Sequence, residues 1–314
     1  MDRQIDAFEF DQRRMIWAST RAVLETDNYK HKKSGKKSRS HWSTFEKILG
    51  WSKFFLRISG VLANGRHNAL NLKKKEININ FDNLPKNFDG FSILHLSDLH
   101  IDSMHELPQA IVETIGDEEF DICVISGDYR FHSQGAYKQV LEPLKTIFQK
   151  IKTRHGIFAV LGNHDTYQMV FHQQELGLKF LVDESIKIER NGSFITFTGT
   201  DDPFKYFTTR EVDAMEESGK GFKIALVHTS ELVDVAIANN YKLYLCGHTH
   251  GGQVCLPGGI PLITHQYEGR KYYRGLWKLN GLTGYTNEGC GVSGIPIRFN
   301  TRGEVVKIVL RCKG

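Results

Sequence analysis

The chain has no apolar run approaching the roughly 18 residues that a membrane-spanning helix requires. Its N-terminus, Met1-Asp-Arg-Gln-Ile-Asp-Ala, has no basic segment leading into an apolar one. Neither a spanning helix nor a signal peptide is therefore expected. Cysteines are few and odd in number: the five, Cys123, Cys246, Cys255, Cys290 and Cys312, show no framework spacing. That excludes a disulfide scaffold and predicts reduced thiols in a cytosolic setting. No internal repeat or heptad is visible, which excludes a solenoid and a coiled coil. What remains is ordinary globular composition, 40% hydrophobic and 25% charged over 314 residues, enough for a sizeable core.

The net charge of +5 is modest but unevenly spread. Residues 1–29 read as a weakly helical segment with no functional signal. Residues 30–40 open with Lys30-His-Lys-Lys-Ser-Gly-Lys-Lys-Ser-Arg39, a basic linker with nothing apolar to bury. It lacks interleaved aromatics, so no specific nucleic acid is expected as a partner. Residues 41–76 form an amphipathic helical segment, opened by a capping box of Ser43 and Glu46. Phe45, Ile48, Leu49, Phe55, Leu56, Ile58 and Leu62 recur mostly at helical spacing, with Lys47, Lys53 and Arg57 interspersed. The helix over 41–64 either packs on the main domain or lies in a lipid interface. An apolar face beside a polybasic patch makes residues 30–64 a candidate contact for an anionic membrane surface.

From residue 77 to 314 short apolar runs alternate with helical stretches. Strands are predicted at 77–81, 92–96, 122–126, 157–161, 179–182, 194–198, 223–227, 243–246, 296–299 and 305–310, with a helical pattern at 135–152. The alternation predicts an α/β layered domain, more antiparallel in its second half.

Five of these strands end in residues that can hold a cation. The first runs Phe91-Ser-Ile-Leu-His-Leu-Ser-Asp98-Leu-His100. If strand geometry continues, side chains at i and i+2 share a face, so Asp98 and His100 can reach one ion. The others end in Gly127-Asp128, Gly162-Asn163-His164-Asp165, Val227-His228 and Gly247-His248-Thr249-His250. Strand ends of an open α/β sheet converge on one crevice. Glycine before Asp128, Asn163 and His248 lets the backbone approach a ligand closely. Without counting His164, the donors are two aspartates, one asparagine and four histidines. That is too many for one tetrahedral zinc and includes no thiolate. Such a set suits two divalent ions bridged by a carboxylate, Mn²⁺ foremost, with Zn²⁺ or Fe²⁺ as alternatives.

Taken in order, these elements resemble the signature of the calcineurin-like metallophosphoesterase superfamily, over about residues 77–314. The resemblance implies a four-layer αββα sandwich, here with an N-terminal helical extension, and two metals at the sheet edge. By position it implies Asp98, His100, Asp128 and His250 on the first metal. Asp128 (bridging), Asn163, His228 and His248 would hold the second, with His164 as the non-ligand catalytic histidine, oriented by Asp165. It further implies hydrolysis of a phosphoester by a metal-bridging hydroxide. Purple acid phosphatases, a related family, place a tyrosine ligand where this chain has Phe131, so a redox-tuned site is not expected. Tyr129 and Arg130, directly after the bridging aspartate, are candidate substrate contacts; Arg130 could make a bidentate phosphate contact.

Finer features resemble the YkuE/YaeI-like phosphodiesterase branch, which includes UDP-2,3-diacylglucosamine pyrophosphohydrolases. They are Leu84-Pro-x-x-Phe88-Asp-Gly-Phe, Gly127-Asp-Tyr-Arg130, Gly199-Thr-Asp-Asp-Pro203, Gly247-His-Thr-His-Gly-Gly-Gln253 and Gly294-Ile-Pro-Ile-Arg298-Phe. Unlike many relatives of that branch, this chain shows no N-terminal membrane span. The expectation is a cytoplasmic hydrolase of a phosphodiester or pyrophosphate, peripheral on the inner face of the membrane, acting on a lipid-linked nucleotide such as UDP-2,3-diacylglucosamine. A soluble phosphodiesterase for small nucleotides or other diesters is the alternative. A non-catalytic scaffold is the remote third, because every ligand position is filled.

Overall fold

The computed structural model describes residues 7–33, 61–262 and 272–313. Runs such as Ile122–Ile125 and Leu243–Cys246 are buried at every position, so each needs cover on both faces. The chain supplies that cover by stacking two sheets and placing helices outside each.

The first sheet contains β1 (Lys73–Phe81), β2 (Ser92–Leu96), β3 (Ile122–Ile125), β4 (Ile157–Ala159), β5 (Lys179–Phe180) and β12 (Glu304–Cys312). The second contains β6 (Glu184–Arg190), β7 (Ser193–Gly199), β8 (Phe222–Leu226), β9 (Leu243–Cys246), β10 (Gly275–Leu279) and β11 (Leu282–Thr286). Their spatial orders are β1-β12-β2-β3-β4-β5 and β10-β11-β9-β8-β7-β6. One neighbouring pair is antiparallel in the first sheet (β12 with β2), and two in the second, at its edges. The second half is thus only slightly more antiparallel than the first, and its centre is parallel.

Alternation along the strands builds three apolar layers. Ile93, Ile122 and Val124 point inward and meet Ile195, Phe197, Ile224 and Leu245 from the other sheet. Leu94, Cys123 and Ile125 point outward, under α3 (Leu107–Ile115) and α4 (Leu141–Phe148). On the far side Ala225, Tyr244 and Cys246 pack on α5 (Arg210–Glu216) and α6 (Val233–Ala238). Each fully buried Leu or Ile in these layers contributes about 1.5–3 kcal/mol. The result is the expected αββα sandwich.

Several boundaries differ from the sequence reading. Helix α4 covers only the later part of 135–152. Pro143 lacks an N–H and clashes with an upstream carbonyl, so it must sit in a helix's first turn. Residues 296–299 form no strand; Phe299 makes a single bridge to Val254. At the N-terminus α1 runs Ala7–Lys33, so the stretch expected as a linker from residue 30 begins inside a helix. The rest of that linker, and the amphipathic helix over 41–64 up to residue 60, lie outside the described residues. Helix α2 (Val61–Leu70) then leads into β1. No helix among the described residues is long and apolar enough to cross a membrane.

Candidate metal centre

The first sheet presents the ends of β2, β3 and β4, and the second those of β8 and β9, along one edge of the sandwich. Backbone hydrogen bonds carry the strand pairing past those ends. Asp98 N donates to Gly127 O (2.9 Å), His100 N to Asp128 O (3.0 Å) and Gly247 N to His228 O (2.9 Å). Asp98, His100, Asp128, His248 and His250 all have positive φ, between 37° and 72°. Left-handed backbone costs a residue with a Cβ roughly 1–2 kcal/mol. Its clustering on five candidate donors is strain concentrated at a functional site. It also corrects the expected geometry: Asp98 and His100 lie beyond the end of β2, and left-handed turns, not strand alternation, aim them together. Two glycines make the close approach feasible. A Cβ on Gly162 would lie 2.3 Å from Asp128 Oδ1, and one on Gly247 would lie 1.8 Å from Ser97 Oγ.

The donors form two pockets that share one oxygen. In the first, His250 Nε2 lies 3.5 Å from Asp98 Oδ1 and 3.2 Å from His100 Nε2. His100 Nε2 is also 3.6 Å from Asp128 Oδ2. In the second, the same Asp128 Oδ2 is 3.4 Å from His228 Nε2. That nitrogen lies 3.1 Å from Asn163 Oδ1 and 3.2 Å from His248 Nδ1. All seven side chains are buried; Asn163 at 8% exposure and His248 at 7% are the most open.

Protonation decides whether this arrangement suits a cation. His100 Nδ1 is 2.8 Å from Arg130 O and His228 Nδ1 is 2.7 Å from Ser126 O. A carbonyl only accepts, so both Nδ1 atoms carry hydrogen and a neutral ring turns its Nε2 lone pair inward. Lone pairs would then face other acceptors at 3.1–3.6 Å, an arrangement that repels unless positive charge lies between them. Donors sharing an ion at about 2.0–2.2 Å stand about 3.0–3.5 Å apart, so the residues present fit two divalent cations. Burial and the neighbouring His100 hold the His250 imidazole well below its usual range, which keeps it neutral. Without a cation Asp128 and His228 hold each other charged. Burial alone would raise the Asp128 carboxyl and lower the His228 imidazole, but Asp128 lies well below the usual carboxylate range and His228 well above the usual imidazole range, so a bound cation would take the place of the His228 proton.

The residues around the donors fix their orientation. Ser97 Oγ donates to Asp98 Oδ2 (2.6 Å), as does His248 N (2.9 Å). His164 N donates to Asp128 Oδ1 (2.8 Å), leaving Oδ2 to face both pockets. The His164 ring stands edge-on to His100, with centroids 4.9 Å apart, and its Nδ1 donates to Phe131 O (2.7 Å). Asp165 was expected to orient that ring. Its carboxylate instead accepts from Gly162 N (2.7 Å), Asp128 N (2.8 Å) and Tyr129 N (2.9 Å), tying two donor loops together.

The two candidate substrate contacts point elsewhere. Tyr129 is fully buried in the layer under the outer helices, and its hydroxyl donates to Val160 O (2.9 Å). Arg130 is buried and donates to the carbonyls of His164 (2.5 Å), Gly135 (3.1 Å) and Ser133 (3.0 Å). Arg298 does the same for the other sheet, donating to His250 O (3.0 Å), Glu288 O (2.6 Å), Gly289 O (3.1 Å) and Gly291 O (2.8 Å). A guanidinium has five donors in a planar fork, which is why arginine can gather several loop carbonyls at once.

Sequence reasoning missed a basic group beside the second pocket. Lys205, just after the Asp201-Asp202-Pro203 turn, donates from Nζ to Asn163 O (3.1 Å), and Phe204 packs on the His248 ring at 4.6 Å. The motif was legible; its position over Asn163 was not.

Residues 91–252 match the family model of the calcineurin-like phosphoesterases. The chain belongs to that family. Membership makes it a metal-dependent phosphoester hydrolase, built on a family scaffold that carries a dimetal centre. Among its relatives is the Bacillus subtilis metallophosphoesterase YkoQ, 29% identical over 255 residues, 78% of this chain and 92% of that protein. B. subtilis YkuE is 28% identical over 248 residues, 73% of this chain and 82% of YkuE. Escherichia coli phosphodiesterase YaeI is 26% identical over 238 residues, 70% of this chain and 82% of YaeI. The calcineurin-like phosphoesterase match thus covers β2 to β9 and all five donor loops.

Proposed function

We propose that this chain hydrolyses a phosphodiester or pyrophosphate at the two pockets. Asp98, His100, Asp128 and His250 hold one divalent ion, and Asp128, Asn163, His228 and His248 the other. The observation that carries this reading is Asp128 Oδ2, which faces His100 Nε2 at 3.6 Å and His228 Nε2 at 3.4 Å. When bound, two cations offset the charge that develops on the phosphoryl oxygens and make water a usable nucleophile at neutral pH. The chain's own residues do the rest. Asn163 offers a neutral oxygen where another aspartate would cancel charge needed for phosphate. His164 has its Nδ1 hydrogen anchored on Phe131 O, so a second proton must be taken up on Nε2 before it can pass to the leaving oxygen; burial lowers the ring's hold on that proton, which makes the charged ring a stronger acid. Lys205 adds positive charge beside Asn163.

A mixed nitrogen and oxygen donor set without thiolate favours manganese over a structural zinc. YaeI's designation as a phosphodiesterase supports a diester over a monoester. The concrete substrate we propose is a lipid-linked nucleotide such as UDP-2,3-diacylglucosamine, met at the cytoplasmic membrane surface through residues 30–64. Its support is the sequence of that basic and amphipathic stretch and the branch-specific motifs. Manganese-reconstituted protein, assayed on mono-, di- and pyrophosphate esters with His164→Ala as control, tests the chemistry. Turnover of a generic diester with only background hydrolysis of the lipid nucleotide overturns the substrate and leaves a phosphodiesterase for small diesters. Failure to float with anionic vesicles, or flotation unaffected by Trp51→Glu, overturns the membrane contact.

A further inference from the structure

Helix α1, which carries no functional signal in the sequence, is bonded to the second pocket's loop. Arg14, Trp17, Arg21 and Glu25 recur at three- and four-residue steps, so they line one face of the helix. That face is polar and aromatic, which is why hydrophobic periodicity does not reveal it. Trp17 Nε1 donates to Asp201 Oδ2 (2.8 Å), and Arg21 Nη1 donates to Asp201 Oδ1. Arg21 Nη2 reaches the carbonyls of Gly162 (3.4 Å) and Asp165 (3.3 Å), the two residues that bracket Asn163 and His164. Glu25 continues along the same loop, accepting from Thr166 Oγ1 (2.8 Å) and Tyr167 N (2.9 Å). The Arg21 side chain is 1% exposed, and its guanidinium lies 3.4 Å over the Tyr206 ring.

The site that receives Arg21 is built for a cation. Asp201 is buried against it, and Asp202 is buried beside Asp201. Asp183 Oδ1 accepts from Asp201 N (2.9 Å), which brings a third carboxylate to the same place. Breaking a buried ion pair by removing one partner is costly because the remaining charge is stranded. Without Arg21, Asp201 keeps its burial but loses its counter-charge, and two loop carbonyls lose a donor. The loop that presents Asn163 and His164 would then relax. The first pocket shares only Asp128 with that loop, through His164 N and the Asp165 carboxylate, so it would be disturbed less.

We infer that α1 is a clamp on the Gly162–Asp165 loop and that Arg21 is a positioning residue for the second pocket. Metal retention at Asn163, His228 and His248 therefore depends on the helix being docked. The inference rests on the dimetal reading, and the test separates the two. Full-length protein stripped with chelator is titrated with Mn²⁺ by calorimetry, and bound metal is counted after gel filtration. Wild type takes up two equivalents. Arg21→Met keeps one tight equivalent and weakens the other about 10–100-fold, the usual cost of losing a residue that orients a ligand. Arg21→Lys, which keeps the charge but not the fork, falls between. Arg14→Met is the control, because Arg14 joins α1 to Phe180 O (2.8 Å) and Glu184 Oε1 (2.9 Å), away from the donor loops. It lowers thermal stability but leaves both equivalents intact.

A measurement on wild type alone guards against a variant that fails to fold. Linkage is reciprocal, so saturating Mn²⁺ must slow amide hydrogen exchange across residues 14–27. Unchanged exchange there, or Arg21→Met binding both equivalents with wild-type affinity, overturns the clamp while the dimetal reading stands. Both equivalents weakening together in Arg21→Met and Arg14→Met overturns it too, since that pattern marks general destabilisation. A wild type that takes up a single equivalent overturns the dimetal reading and the clamp with it.

Discussion

The two pockets share Asp128 and differ in almost everything that holds them. The first is the more deeply buried, with Asp98 and His100 at 0% exposure and His250 at 4%, against 8% for Asn163 and 7% for His248 in the second. Its supports are Ser97, next to its own aspartate in the chain, and Arg298, which gathers the His250 carbonyl with those of Glu288, Gly289 and Gly291. The second pocket's loop is held by Lys205 and, from 141 residues upstream, by Arg21 on α1. The second is therefore the pocket whose metal binding is expected to be lost selectively when that helix is disturbed.

Four experiments break or sharpen that contrast, from the largest effect to the smallest. Asp128→Ala removes the shared oxygen, so both equivalents of Mn²⁺ and all turnover above background are expected to disappear, by metal counting and diester assay. Retention of one tight equivalent would show that the pockets are independent. His164→Ala should lower kcat by about 10²–10⁴-fold on esters with poor leaving groups. Metal content should stay unchanged, and an activated leaving group should recover much of the rate.

Arg298→Met takes the described donor from the carbonyls of Glu288 and Gly291, whereas His250 O and Gly289 O keep Gln253 N (2.9 Å) and Glu304 N (3.1 Å). Buried unpaired acceptors cost about 1–3 kcal/mol each, so chemical unfolding should show a loss of about 2 kcal/mol or more. Unlike Arg21→Met, it should weaken the first equivalent. Ser97→Ala removes one donor to Asp98 Oδ2. It should weaken the first equivalent by about 10-fold and cost about 1 kcal/mol of stability. Weakening of the second equivalent instead would reverse the pocket assignments.

Much of the scaffold was legible in the chain. The runs 92–96 and 243–246 are mostly apolar because both faces are covered, and the structure returns them with the same bounds. Within the two main sheets the strands that were missed are Glu184–Arg190, Gly275–Leu279 and Leu282–Thr286. The first two are edge strands, half-covered and rich in charge or glycine. The third, central but interrupted by Gly284, accepts the Trp277 ring where a Cβ would stand, which no local pattern announces. At the site, the seven candidate donors could be picked out because each lies a few residues past a strand end. The roles of Tyr129 and Arg130 were misread because proximity to Asp128 in sequence does not decide where a side chain points. Arg21 was not readable at all, since its partner Asp201 lies 180 residues on.

The chain by itself determined which chemical groups sit at the strand ends, and glycine where the backbone must come close. These are local facts, carried by residue type and short spacing. Only the tertiary structure decided that left-handed turns aim the donors, that one oxygen of Asp128 faces both pockets, and that three buried arginines spend their donors on loop carbonyls. Those outcomes depend on which distant segments the fold brings within hydrogen-bond reach. A guanidinium's partner is chosen by the packing of two sheets and a helix, whereas its chemistry was already written in the chain.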